Sequence, residues 1–230
     1  MIELREVSRH FRLGKERVEA LHRVSIRIAP GEFVLIKGPS GSGKTTLLNL
    51  ISGLDRPSEG ALLIGGIDLA GLGDVEISNI RNQKIGYVFQ SFYLEGNQSA
   101  IDNVALPLVF GGVPLAERRT RGRAMLERVG LGHKAHERAA NLSAGQKQRV
   151  ALARAIVNRP GVILADEPTA NLDYRTGDEI LELLRRVNAE DRTTVLLVSH
   201  QRDLQIAGAR NFWIEDGRLV EGTPTPVTRP

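Results

Sequence analysis

Short apolar runs separated by longer mixed stretches set the rhythm of this chain. Phe33–Lys37 (FVLIK) is almost unbroken in its hydrophobicity and reads as a buried strand. Residues 85–89 (IGYVF), 162–165 (VILA) and 194–198 (TVLLV) repeat the pattern and predict three more strands. Residues 44–52 predict a helix that follows a glycine-rich turn. Residues 212–215 and 218–220, joined by Asp216-Gly217, predict a hairpin, because Asp-Gly readily takes the backbone angles of a tight turn. Strands alternating with helices predict an α/β fold whose sheet is mostly parallel.

The middle of the chain breaks this rhythm. Residues 91–158 carry few strand signals, while 115–129 and 143–157 are rich in Arg, Ala, Glu and Leu and have helical character. The expectation is one domain over residues 1–230. Its α/β core is built from 1–90 and 159–220, and a helical subdomain, 91–158, is inserted between them. Residues 221–230 contain three prolines and little to bury, which predicts a frayed tail.

Composition narrows the classes of function. The 230 residues are 41% hydrophobic and 25% charged, ordinary values for a globular domain. There is no apolar run long enough to cross a bilayer, and the opening MIELREVSRHF is charged where a secretion signal would be apolar, so the chain is expected in the cytoplasm. The absence of cysteine excludes disulfides and thiolate metal sites. The net charge of +4 is spread along the chain and aromatics are only 4%, which favours a solvated surface over a nucleic-acid site.

Two features carry chemistry. Gly38-Pro39-Ser40-Gly41-Ser42-Gly43-Lys44-Thr45 fits G-x-x-x-x-G-K-[ST] and sits between a predicted strand and a predicted helix. A backbone that wraps a polyphosphate must point its N–H groups inward without obstruction, which glycine permits, and the following helix aims its positive end at the same charge. Lys44 adds a full charge on the β- and γ-phosphates, and the Thr45 hydroxyl suits Mg²⁺. The second feature is Asp166-Glu167, at the end of the VILA run. Asp166 is placed to orient Mg²⁺ through its water shell, and Glu167 to polarise an attacking water. Strands often end in acids, so this pair gains its meaning from the phosphate loop in the same chain.

Further along, Leu142-Ser143-Ala144-Gly145-Gln146 resembles the LSGGQ signature of ABC ATPases, and the text continues as Lys147-Gln148-Arg149 in the family manner. Gln90 resembles the Q-loop glutamine, Ala170-Asn171-Leu172-Asp173 the D-loop, and Val198-Ser199-His200 the strand end that bears the switch histidine. Phe11 stands where the family keeps an aromatic for adenine, although a lone phenylalanine is more often a core residue. The motifs run in family order over nearly the whole chain. Segments such as Gly53-Leu54-Asp55-Arg56-Pro57 and Asp102-Asn103-Val104-Ala105-Leu106-Pro107-Leu108 resemble the lipoprotein-release and macrolide-export types, with the cell-division ABC ATPase near them. Two departures stand out. Ala144 replaces the usual glycine, and Leu94-Glu95-Gly96-Asn97-Gln98 replaces an apolar run.

The resemblance implies a P-loop NTPase core of the ABC type with an added antiparallel β part. It implies an ATPase that uses ATP and Mg²⁺ and closes head to tail with a second copy, so that each signature covers the ATP of the other. Gly38 to Thr46 and Phe11 would bind one nucleotide, and Ser143, Ala144, Gly145, Gln146 and Asp173 would meet the partner's. Thr45, Gln90 and Asp166 would hold the metal. Glu167 would be the base, with His200 and Gln90 beside the γ-phosphate. The implied partner is a separate integral-membrane permease of four spans with a large extracytoplasmic domain, placing this chain peripherally on the cytoplasmic face of the cell membrane. The alternative is a transmembrane signalling ATPase without transport; a chain of 230 residues with no cysteine argues against a soluble DNA-linked ABC ATPase, and Glu167 and His200 argue against a scaffold that binds ATP without turnover.

Overall fold

Each predicted apolar run becomes a strand of one six-stranded sheet. The computed structural model describes residues 1–14 and 16–222, so most of the proline-bearing tail, residues 223–230, lies outside the described residues. The strands are β1 (Ile2–Leu13), β2 (Glu16–Ile28), β3 (Phe33–Lys37), β4 (Glu59–Ile64), β5 (Ile67–Asp68), β6 (Ile85–Val88), β7 (Val162–Asp166), β8 (Thr194–Ser199), β9 (Arg210–Glu215) and β10 (Arg218–Glu221). The helices are α1 (Lys44–Ile51), α2 (Asp74–Lys84), α3 (Ala100–Phe110), α4 (Leu115–Arg128), α5 (Ala144–Ile156) and α6 (Tyr174–Asp191).

The large sheet has the order β10-β9-β3-β8-β7-β6, parallel throughout except for the β9–β10 hairpin. Successive side chains of its central strands enter different cores. Leu35, Ile163, Ala165, Val195 and Leu197 pack toward α3, α4, α5 and α6. Val34, Ile36, Val162, Leu164, Leu196 and Val198 pack toward α1 and the second sheet. Both faces are covered, which is why β3, β7 and β8 lack the polar alternation of a half-exposed strand.

The second sheet is antiparallel, in the order β2-β1-β4-β5, and closes over α1. The β1–β2 pairing shifts register three times between Leu4 and His10, so the apolar positions do not alternate cleanly. The helical stretch is packed continuously with the sheet. Val104 and Leu108 of α3, Leu126 of α4 and Val150 of α5 share one core with Leu35 and Ile163. Among the described residues, no helix is long and apolar enough to cross a membrane.

This topology places the C-terminal ends of β3, β6, β7 and β8 along one edge. Lys37 pairs with Ser199, and Asp166 with Val198. In an open α/β sheet that edge is where ligands bind.

Candidate functional site

The loop between β3 and α1 wraps the start of the helix. Gly43 caps α1 at φ 104° with no side-chain hydrogen bond. A Cβ there would lie 2.4 Å from the Ala20 carbonyl of β2, so only glycine fits. Lys44, the first helical residue, is buried. Its Nζ donates to the carbonyls of Gly38 at 2.9 Å and Pro39 at 2.7 Å. Burial pushes its pKa down, and the charges of Glu167 and Asp166 work against that.

The carboxylate pair stands directly opposite. Asp166 ends β7 and is buried. Burial pushes its pKa up, a hydrogen bond from Thr45 opposes, the charge of Glu167 adds to the rise and Lys44 opposes it. Glu167 leaves the strand in a left-handed conformation, φ 46°. Its N–H donates to the Val198 carbonyl at 3.1 Å, which fastens the turn to β8. Its carboxylate lies 3.9 Å from Lys44 Nζ and is hydrogen-bonded to His200 Nδ1. The parallel register of β7 and β8 therefore brings together an acid and a histidine that are far apart in the chain.

Gln90 follows β6 and is exposed, with its carbonyl accepting from Asn171 Nδ2 at 3.0 Å. Sequence reasoning assigned Asn171 no role of its own, and nothing in its spacing points to this bond. It also missed Arg154 of α5, which donates to the carbonyls of Tyr93 at 2.6 Å and Phe92 at 2.9 Å and so pins the segment after Gln90.

A second group of residues gathers elsewhere on the chain. Ser143 caps α5, its Oγ accepting from Gln146 N at 3.3 Å while its own N–H donates to Gln146 Oε1 at 3.1 Å. Ser143 and Ala144 are exposed at the positive end of the helix. A Cβ on Gly145 would come within 2.4 Å of Thr176 Cγ2, so the starts of α5 and α6 touch. Asp173 caps α6, accepting from Thr176 N at 3.0 Å and Thr176 Oγ1 at 2.6 Å, bonds that hold its pKa below the ordinary range. A cavity of about 550 Å³ opens between Ser143–Gln146 and Asp173. Among the described residues, no hydrogen bond or ion pair joins this group to Gly38–Thr46.

Phe11 lies outside both cores. It faces Val18 across the β1–β2 hairpin, is 37% exposed, and carries the Arg9 guanidinium 4.6 Å from its ring centroid.

Comparison with known proteins identifies the family. Residues 21–170 match the family model described as ABC transporter. The chain is 42% identical to the lipoprotein-releasing system ATP-binding protein LolD of Pseudomonas syringae pv. tomato, over 96% of this chain and 97% of that one. It is 45% identical to the macrolide export ATP-binding/permease protein MacB of Azoarcus sp., over 96% of this chain but only 33% of that one. In three dimensions it is similar to the dimeric ATP-binding cassette MJ0796 in a post-hydrolysis state with ADP and Pi. That match has a TM-score of 0.89 and 43% identity, over 97% of this chain and 98% of the other.

Proposed function

The chain belongs to the ABC transporter ATP-binding family, and from that premise we propose that it hydrolyses ATP as a head-to-tail dimer and drives a separate membrane subunit in export or lipoprotein release. The observation that carries this reading is the meeting of Lys44, Asp166, Glu167 and His200 at one sheet edge. The Ser143 end of α5 stands apart from them. That helix start is an anion site with no phosphate of its own chain to serve, so a second copy completes it. ATP then attracts the second copy only in the closed state, which makes it a ligand of closure.

The residues have these parts. Gly38, Pro39, Ser40, Gly41, Ser42, Gly43, Lys44, Thr45 and Thr46 hold the phosphates. Ser143, Ala144, Gly145 and Gln146 cover those of the partner, and Asp173 couples the two sites. Glu167 takes the proton of the attacking water, and His200, already bonded to it, keeps the water in line. A hydroxyl, an amide oxygen and a carboxylate on Thr45, Gln90 and Asp166 are the hard donors that Mg²⁺ prefers. The ion would supply charge neutralisation on the phosphates. Among the described residues no group of three or more His, Cys, Asp or Glu is placed to hold a metal, so the nucleotide's own oxygens would complete the set.

Phe11 is the adenine platform in this reading, and its exposure on the hairpin supports that role over one in the core. Phe11→Ala should weaken ATP binding by about 1–2 kcal/mol, the lower part of the range for base–aromatic stacking, and leave turnover at saturating ATP near wild type. Titration with a fluorescent nucleotide checks this, and an unchanged affinity would remove Phe11 from the site.

The membrane partner meets the segment after Gln90. There the Glu95 N–H donates to Asn103 Oδ1 at 2.8 Å and Asn103 Nδ2 donates to the Glu95 carbonyl at 3.1 Å, so the backbone is fixed while the carboxylate is exposed. Exposed Leu106, Val109 and Leu115 share its groove. Arg118 and Arg119 line the same groove and, among the described residues, form no ion pair to Glu95, so a cation on the partner would give the acid its pair. Glu95→Lys should therefore leave ATP binding intact and weaken assembly with the membrane subunit by about 10-fold or more, with a reversed charge on the partner restoring it. Co-purification with the membrane subunit reads this directly. Normal assembly of Glu95→Lys, with normal partner-stimulated ATPase, would mean that Glu95 only faces water.

A further inference from the structure

One side chain of α5 has no part in the binding and chemistry assigned above. Gln148 lies just over one turn into the helix and is fully buried. Its Nε2 donates to the Pro168 carbonyl at 2.7 Å, and its Oε1, equally shut off from solvent, has no hydrogen-bond partner. Because the group it meets is a carbonyl, the amide must present nitrogen to it, which leaves the oxygen stranded. A stranded buried acceptor weakens a fold, and an apolar side chain of the same shape would avoid it. The bond to Pro168 is what an apolar side chain of the same shape could not make.

Pro168 directly follows Glu167. The Glu167 N–H is held by Val198 and its carbonyl accepts from Ala170 N, both at 3.1 Å. Pro168 has no N–H, and its carbonyl is held by Gln148. The turn that aims Glu167 at His200 and Lys44 is thus closed, on the α5 side, by one side chain. Gln148 shares a helix face with Ala144 and Gly145, four and three positions before it. That face is also fastened to α6, since Gly145 presses on Thr176 and Asp173 caps Thr176. A shift at the Ser143 end of α5 would reach Pro168 through this bond.

We propose that Gln148 is a positioning residue that ties the aim of Glu167 to the engagement of its own helix start by the nucleotide of the second copy. This rests on the head-to-tail dimer and on Glu167 as the base. Each copy then senses its neighbour's nucleotide through one turn of helix and one hydrogen bond, and readies its own base accordingly.

Gln148→Met removes the donor and the stranded acceptor while keeping the length of the side chain, and it leaves the Pro168 carbonyl without that donor. The test measures ATP hydrolysis per bound nucleotide in the full chain, with Glu167 and again with Glu167→Gln. The expected result is a KM within about twofold, a kcat lower by about 10-fold and a Hill coefficient falling toward one, with a Tm unchanged or modestly lower because the Pro168 carbonyl loses its donor. In the Glu167→Gln background, Gln148→Met should change the residual rate by less than about twofold, because the group it positions is already gone. An unchanged kcat, or equal losses in the two backgrounds, would overturn the role of Gln148 and leave the dimer reading standing. Turnover of Glu167→Gln at wild-type speed would overturn the role of Gln148 together with that of Glu167 as the base, and would still leave the dimer reading standing. Should Gln148→Met fail to fold, Gln148→Asn, an amide too short to reach Pro168, carries the same comparison.

Discussion

Glu167→Gln should bind ATP, assemble as a dimer and then stall, with turnover lower by about 10²–10⁴-fold, the loss expected when a positioned base is removed. Glutamine has the shape of glutamate, so the left-handed turn and the bond of its N–H to Val198 survive. Its amide still reaches His200. What it cannot do is accept the proton of the attacking water. Lys44, 3.9 Å away, loses an anion, so more of its charge is left for the γ-phosphate and ATP affinity holds or rises. Phosphate release reads the turnover, and gel filtration in ATP reads the stalled dimer. Hydrolysis near the wild-type rate would place the base on another residue.

Lys44→Ala should fail one step earlier, at binding. The ammonium is buried and reaches the phosphate edge from the first turn of α1. Charged hydrogen bonds contribute about 1.5–3 kcal/mol each, so losing contacts to two phosphates raises the Kd for ATP by about 10²–10⁴-fold. The substitution also removes a cation that opposes the upward push of burial on Asp166, so that carboxyl keeps its proton to higher pH. Equilibrium dialysis with labelled ATP measures the loss. Retained affinity would mean that the loop backbone alone holds the nucleotide.

The phosphate loop was legible because its chemistry constrains neighbouring residues, and the central strands because they are buried on both faces. Less local features were harder to read. The antiparallel sheet is obscured by three register shifts in the β1–β2 hairpin, which interrupt the alternation that reveals a strand. In α3, Pro107 sits inside the helix, where a proline argues for a break. Packing of Val104 and Leu108 into the helical-side core overrides it. By contrast, α6 has a visible stripe of buried Ile180, Leu183, Leu184 and Val187 at helical spacing, and the sequence reading named no helix there. The contact of Glu167 with His200 follows from strand order, which no local spacing encodes; only the family resemblance pointed to it.

The division of the large sheet's side chains between two cores makes β7 a ruler with a graduation of two residues. One residue inserted within β7 ahead of Ile163 would turn Ile163 and Leu164 to the wrong faces. It would also offer the site a different side chain in place of each acid. Both failures follow from the same slip, so no change of frame can trade fold against activity here. The letters of VILA can drift among apolar residues of similar volume, but their number cannot.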